Sequence, residues 1–296
     1  TNKESAISPL NNFLYLSTIF IWGSTWLAIT YQLGEVDPLA SVIYRMTIGA
    51  ILLFIWCLIK KIPLKVNLVN HAFFLAQGGL LFGLNFWTIY LAEVYLTSGI
   101  VAVIFSLLVF FNIINGRIFL NRAISAKTLI GGVMGMLGVG MLFYPEIIKY
   151  SSSEGVLTGF AMAILSVLIA SLGNITATRN GQTGLSIWSI NAWSMLYGSL
   201  ILSIIALLSG VEFTYESTFE YTASLVYLSV FGTVLVFAAY IKLLVSIGPD
   251  RAAFTSLIIP FVAIALSTIF EDYQWTLMAV IGFLVVIVGN FIVVRR

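Results

Sequence analysis

Few side chains in this sequence can carry chemistry, and their types exclude most reactions. His71 is the single histidine and Cys57 the single cysteine. No His-Glu-x-x-His run, no paired aspartates inside an apolar stretch and no second thiol accompany them, so a metal centre, a redox thiol pair and an acid–base couple are disfavoured. A glycine-rich phosphate loop is also missing, so no nucleotide and no other cofactor is expected. Recognition chemistry remains. Arg45 is the one charge well inside an apolar stretch, roughly 10 Å from its end by helical rise, and such a group is a functional candidate by default. Two readings are open. The favoured one has Arg45 snorkel outward and pair with Glu93, Glu35 or Asp37; the other makes it a carboxylate contact or part of an outer gate.

Aromatic and amide side chains inside apolar runs are the second signal. Trp22 and Trp26 lie one helical turn apart on one face, and a buried indole N–H needs a partner that lipid does not offer. Trp193 and Tyr197 repeat that spacing. Asn85, Asn112, Asn115 and Asn174 must face protein or water, either as interhelical hydrogen bonds or as contacts to polar substrate groups beside Ser106, Ser166 and Ser171. Asn85 and Asn174 are the preferred substrate-binding pair. Trp56, Trp188 and Trp275 fall near stretch ends and suit an interfacial belt. Gly23 and Pro260 mark places where a helix could bend, as a moving part or as a static kink. Gly131, Gly132, Gly135, Gly138 and Gly140 predict close packing of the fifth stretch on the tenth, at Gly282 and Gly289.

The elements that position these residues are ten apolar stretches, at 13–32, 39–59, 71–92, 97–116, 126–144, 155–178, 186–209, 222–247, 252–270 and 275–294. Each is near the roughly 20 residues that a helix needs to cross a bilayer. Alternate gaps sort the charge. Twelve of the fourteen Lys and Arg, among them Lys3, Lys60, Lys61, Lys65, Arg117, Arg122, Lys127, Arg179 and Lys242, fall on one side. Ten of the twelve acids, including Glu35, Glu93, Glu212, Glu216, Glu220 and Glu271, fall on the other. Basic loops stay in the cytoplasm, which predicts a multi-pass protein of the bacterial plasma (inner) membrane with both termini cytoplasmic. With 60% hydrophobic and 9% charged residues, the chain cannot present an ordinary water-soluble surface. Its net charge of +2 reflects the loop bias and is no nucleic-acid signal. The first stretch has no small-residue cleavage site and reads as a retained helix.

Ten helices divide into two fives, and an odd number per half turns the second half over. The expected fold is therefore an all-α integral membrane protein of two inverted five-helix repeats, 1–147 and 148–296. The stretch after Tyr90 lies on that after Tyr240, with Ala102 on Ala252, Ser106 on Ser256 and Gly132 on Gly282. Inverted repeats characterise secondary transporters, whose sites lie near the midplane between the halves.

Four groups of residues resemble the drug/metabolite transporter superfamily, specifically its ten-helix EamA-type exporters. They are Ile21-Trp22-Gly23-Ser24, Pro38 followed by Arg45, Tyr95-Leu96-Thr97-Ser98-Gly99 running to Ala102 and Ser106, and Gly248-Pro249-Asp250-Arg251-Ala252-Ala253 running to Pro260. The resemblance implies a central cavity lined mainly by helices one, three, four, six, eight and nine, with five and ten outside. Phe110 stands opposite Pro260 where a second proline is common, so helix four is expected to be straighter than helix nine. Asn121-Arg122 likewise replaces a usual Gly-Glu pair.

The expected function is a secondary transporter, acting as a monomer in the lipid bilayer, that exports small organic metabolites such as amino acids, aromatic ones among them. An intramembrane enzyme acting on a lipid or prenyl substrate lacks its catalytic cluster, and a receptor would need a soluble output region. A multidrug or quaternary-cation exporter would need a deep carboxylate, and none is evident in the apolar stretches.

Overall fold

The computed structural model describes residues 9–121, 126–149, 154–247 and 255–294. Lys3, Arg122, the motif at 248–253, Arg295 and Arg296 lie outside the described residues. Among those described, ten apolar rods follow one another: α1 (Pro9–Thr30), α2 (Pro38–Ile59), α3 (Leu68–Glu93), α4 (98–120), α5 (Ala126–Lys149), α6 (Glu154–Gly181), α7 (Ile187–Ser209), α8 (219–247), α9 (Thr255–Phe270) and α10 (Leu277–Val294). Seven have the length and hydropathy of a membrane crossing, and the apolar parts of α5, α9 and α10 are shorter.

Local chemistry sets the ends. The Asp37 side chain accepts from the Leu39 amide at 2.7 Å, and Pro38 follows it as a first helical residue whose missing N–H costs nothing. Asn67 caps α3 in the same way, accepting from the Asn70 amide, and Thr218 caps α8. α7 stops at Gly210, whose φ of 71° lies in the left-handed region that favours glycine.

α3 and α8 are each interrupted by a π-helical segment, Gly78–Leu84 and Tyr227–Leu235. A π segment adds a residue to the turn, displaces the hydrogen-bond ladder and often marks a functional position. The doublet Gly78-Gly79 permits close contact with α7, where a Cβ on Gly78 would strike the Ser194 carbonyl.

α2 packs on α7, α1 on α9, and α3 on α6 and α7. α5 and α10 pair extensively with each other, away from the centre. Their crossing is reciprocal: a Cβ on Gly138 would stand 2.5 Å from the Gly282 carbonyl, and one on Gly282 would stand 2.6 Å from that of Gly138. Gly289 meets the Gly131 carbonyl in the same way. The small-residue spacing predicted for this pair is therefore what lets the backbones touch.

Helix four corrects an expectation. It breaks between Ser98–Phe105 and Leu108–Leu120, whereas α9 runs through Pro260 unbroken over its described length. The Ser106 hydroxyl bonds back to the Val103 carbonyl at 2.6 Å, and the Leu107 amide takes the Ile104 carbonyl three residues back. A serine that competes for backbone carbonyls tightens the turn and bends the helix without any proline.

Candidate functional site

Burial changes along α4. Residues 98–104 are all buried, and this first segment packs against α1, α6 and α9. Gly99 makes the contact tight, since a Cβ there would stand 2.7 Å from the Ser267 Cβ and 2.8 Å from the Ile264 Cα. Glu271, in the turn after α9, completes the seal. It accepts from the Ser98 amide at 3.0 Å and from the Ser98 hydroxyl, placing a carboxylate on the positive end of α4. Beyond Ser106 the helix packs chiefly on α6, and residues 111–115 are only half-buried.

The exposed parts of these half-buried side chains include amides. Asn174 donates to the Asn112 Oδ1 at 3.2 Å, and Asn115 donates to the Ser171 hydroxyl at 2.8 Å, forming a polar seam between α4 and α6. Polar groups left partly open at membrane depth must meet water, because hydrocarbon cannot satisfy them. The bundle is thus sealed at the end that carries Glu35, Glu93 and Glu271. The half-buried amides point to a cleft toward the end that carries Lys60, Arg117 and Arg179.

The predicted residues divide among several places. Trp22 lies edge-on to Phe237 at 5.4 Å and beside Tyr240 at 5.2 Å, both on α8; Trp26 lies against Phe105 of α4 at 5.3 Å. The indole pair therefore joins α1 to one helix from each half. Ser24 extends the contact through a 2.6 Å hydrogen bond with the Tyr227 hydroxyl. Asn85 and Asn174 are not joined: Asn174 takes Asn112, while Asn85 donates to its own helix at Leu81 and leaves Oδ1 without a partner. Ser166 is buried and bonded to the Ala163 carbonyl. Gly23 is a contact glycine, since a Cβ there would stand 2.6 Å from Val262, and α1 passes through it without a break. Pro260 is buried in α9.

Trp193 and Tyr197 belong to a different structure. They stack on each other, the indole N–H donates to the Leu64 carbonyl at 3.1 Å, and the Tyr197 hydroxyl meets His71 Nδ1 at 2.8 Å. Their polar atoms are spent tying α7 to α3 and to the loop before it. Beside them lies a buried network invisible to the motif search, in which Gln77 donates to Asn191 and accepts from Asn180. A glutamine inside an apolar run next to a glycine doublet was its one available signal.

Arg45 corrects the favoured reading. It is 2% exposed and does not snorkel. Its Nε donates to Thr233 Oγ1 at 3.4 Å in the π segment of α8, and its guanidinium stands 4.4 Å over the Phe86 ring, two turns before the end of α3. Tyr90 and Glu93 are within electrostatic reach, yet the expected ion pair is not closed. Both Glu93 oxygens and Arg45 Nη1 lack hydrogen-bond partners. Glu93, expected in a loop, is itself only 6% exposed, because α3 stays helical to that residue. Tyr90, fully buried between them, donates to Gln32 Oε1 at 2.7 Å.

A shallow groove between α1 and α9, lined by Phe20, Ser24, Phe261, Val262, Ala265 and Leu266, is almost wholly apolar. Its only side-chain hydroxyl, that of Ser24, is already bonded to Tyr227. The described residues hold no group of three or more His, Cys, Asp or Glu able to bind a metal.

Comparison with known proteins agrees with this architecture. A solved crystal structure superposes with a TM-score of 0.68 at 14% identity, covering 97% of this chain and 98% of that one. An uncharacterized transporter, YoaV of Bacillus subtilis, is 22% identical over 93% of this chain and 94% of its own length. An uncharacterized inner membrane transporter, YedA of Escherichia coli K12, is 27% identical, covering 95% and 90%. A probable amino-acid metabolite efflux pump of Salmonella typhimurium is 24% identical, covering 97% and 95%. The family model of the EamA-like transporters matches residues 10–144 and 157–295, so this ten-helix bundle belongs to the EamA-like transporter family and is a multi-pass membrane transporter.

Proposed function

We propose that this transporter is a secondary exporter of small organic metabolites, amino acids first among them, working by alternating access in the bacterial inner membrane with both termini cytoplasmic. The observation that carries the reading is the one-ended cleft. Asn112, Asn115 and Asn174 are half-exposed at membrane depth, while the other half of α4 is closed on α1 and α9. A bundle sealed at one end only is one state of an alternating cycle, and the loop charges assign the open end to the cytoplasm. Two five-helix repeats, divided near residue 147, would supply the moving halves.

Two features favour amino acids. Trp22 and Trp26 supply an aromatic wall with Phe237, Tyr240 and Phe105, and one relative is named a probable amino-acid metabolite efflux pump. The buried carboxylate of Glu93 favours a second reading, an exporter of organic cations.

Counterflow into proteoliposomes, with a radiolabelled amino-acid panel set against quaternary ammonium compounds, tests both. Accelerated exchange of an amino acid, reduced by Trp22→Ala at unchanged protein abundance, supports the first reading. Exchange of the cations alone refutes it. Orientation is tested with single cysteines in a Cys57→Ala background: Ser217→Cys should be labelled from outside intact cells and Lys65→Cys should not, and the reverse pattern overturns the topology.

A further inference from the structure

Five charged or amide atoms near the sealed end have no partner, beside the Thr97 and Ser267 hydroxyls, and their polarity is sorted. Arg45 Nη1 and Gln32 Nε2 are donors without acceptors, on α2 and in the turn after α1. Glu93 Oε1 and Oε2 are acceptors without donors, at the end of α3, and Asn85 Oδ1 is another on the same helix. All four side chains are more than nine-tenths buried. Buried polar groups are normally hydrogen-bonded, because leaving one unsatisfied forfeits its whole hydration. An uncompensated buried charge is more costly still, and here two opposite charges approach without touching.

The intervening contacts hold them apart. Phe86 lies under the guanidinium, Thr233 takes its Nε, and Tyr90 stands one turn before Glu93 with its hydroxyl turned to Gln32. Tyr90 thereby occupies the Gln32 carbonyl and leaves the amide N–H free, so that the glutamine presents a donor and no acceptor. What satisfies the Arg45 and Gln32 side is an acceptor-only planar group. What satisfies the Glu93 side is a cationic donor.

We propose that these residues are the head-group site of the transporter and that its substrate is a small zwitterion. Arg45, supported by Gln32, binds the carboxylate, and Glu93 receives the ammonium. This deepens the amino-acid reading above and rests on it. Arg45 is suited to the role because its free Nη1 and the Gln32 N–H can each donate to a carboxylate oxygen, and a guanidinium stays charged where it is buried. Phe86, which carries the guanidinium on one face, is only half-buried and offers apolar surface beside the site.

The test uses the purified full-length protein and four probes that share one ring: phenylalanine, phenylalaninamide, phenylethylamine and phenylpropionate. Binding is read by thermal protection and by competition against labelled phenylalanine in counterflow. The expected order places phenylalanine first, with each single-charge analogue weaker by at least about tenfold, the scale of one charged hydrogen bond. Arg45→Lys should weaken phenylalanine and phenylpropionate by a similar factor and leave phenylethylamine unchanged. Glu93→Gln should do the converse.

If phenylethylamine or phenylalaninamide binds as well as phenylalanine, the arginine is not a carboxylate anchor and the proposal fails. If phenylpropionate matches phenylalanine, the Glu93 half fails. The analogue series is measured on the wild-type protein, so it stands even where a variant does not fold. Counterflow of amino acids that survives both substitutions at full affinity would overturn the head-group site and leave the amino-acid reading intact. Absence of any amino-acid binding or exchange would overturn both.

Discussion

The two ends of the bundle treat buried amides and charges differently, although the Ser189 and Ser194 hydroxyls on α7 are also unpartnered. Toward the cleft every notable amide has a partner: Asn174 on Asn112, Asn115 on Ser171, and Gln77 between Asn180 and Asn191. Toward the seal, Arg45, Gln32 and Glu93 are buried as deeply as Gln77 and Asn180, yet each keeps an atom unpaired. If polarity merely held helices together, groups of equal burial would be equally well satisfied, since an unpaired buried group is costly at either end. The contrast separates structural polarity from polarity kept in reserve for a ligand.

The largest effect is expected where the seal is tightest. Gly99→Leu drives a side chain into Ser267 and into the backbone at Ile264, which cannot move aside. Overpacking of this kind costs about 1–3 kcal/mol, enough to displace a balanced equilibrium between states by tenfold or more. A cysteine at Thr97 in a Cys57→Ala background should become reactive from the acidic-loop side in this variant, with overall folding kept. Unchanged reactivity would mean that α4 and α9 do not separate there.

Glu271→Ala should act in the same direction with less force. It removes the carboxylate that receives the Ser98 amide and hydroxyl, a charge-assisted contact of about 2 kcal/mol. The same Thr97 cysteine should react faster, and Glu271→Gln should fall between Ala and wild type. Equal reactivity in all three would show that the cap orders α4 but does not latch the seal.

Much of this architecture was legible in advance, and the misses share a cause. Ten apolar stretches and the glycine ladder of α5 and α10 follow from periodicity and residue size, which are local properties. Arg45 was misread because snorkelling and burial are equally open to an arginine 10 Å into a helix. The decision rests with Phe86 and Thr233, on helices that only the tertiary fold brings near. The break at Ser106 was missed because proline was taken as the cause of bending, while a serine back-bond does the same work. Asn85 and Asn174 are a different case: they were expected to share a substrate, not a hydrogen bond, and the facing of Asn85 depends on the helix phase set by the π segment at Gly78–Leu84, which residue types do not give.

The cleft end offers the smaller effects. Tyr197→Phe removes the hydrogen bond to His71 and keeps the ring stacked on Trp193. About 1 kcal/mol of stability should be lost, visible as a slightly lower melting temperature, with the transport rate per folded molecule unchanged. A fall in affinity at constant stability would instead return Tyr197 to the substrate path.

Asn112→Ala is the finest discriminator, because its structural consequence is small. Interhelical hydrogen bonds within membranes average about 0.6 kcal/mol, and Asn174, half-exposed to the cleft, can exchange its lost partner for water. Stability should therefore hardly change in either single variant or in the double one. Transport separates two roles. If the pair is a strut, Asn112→Ala and Asn174→Ala leave rate and affinity alone. If the amides line the route that substrate follows from the cleft to Arg45, each variant lowers the rate with little change in affinity, because passage is hindered while the head-group contacts at the seal remain. We expect the second outcome, since groups needed only as glue would be better placed out of water's reach. A loss of affinity as large as that of Arg45→Lys would contradict it and move the binding centre from the sealed end into the cleft.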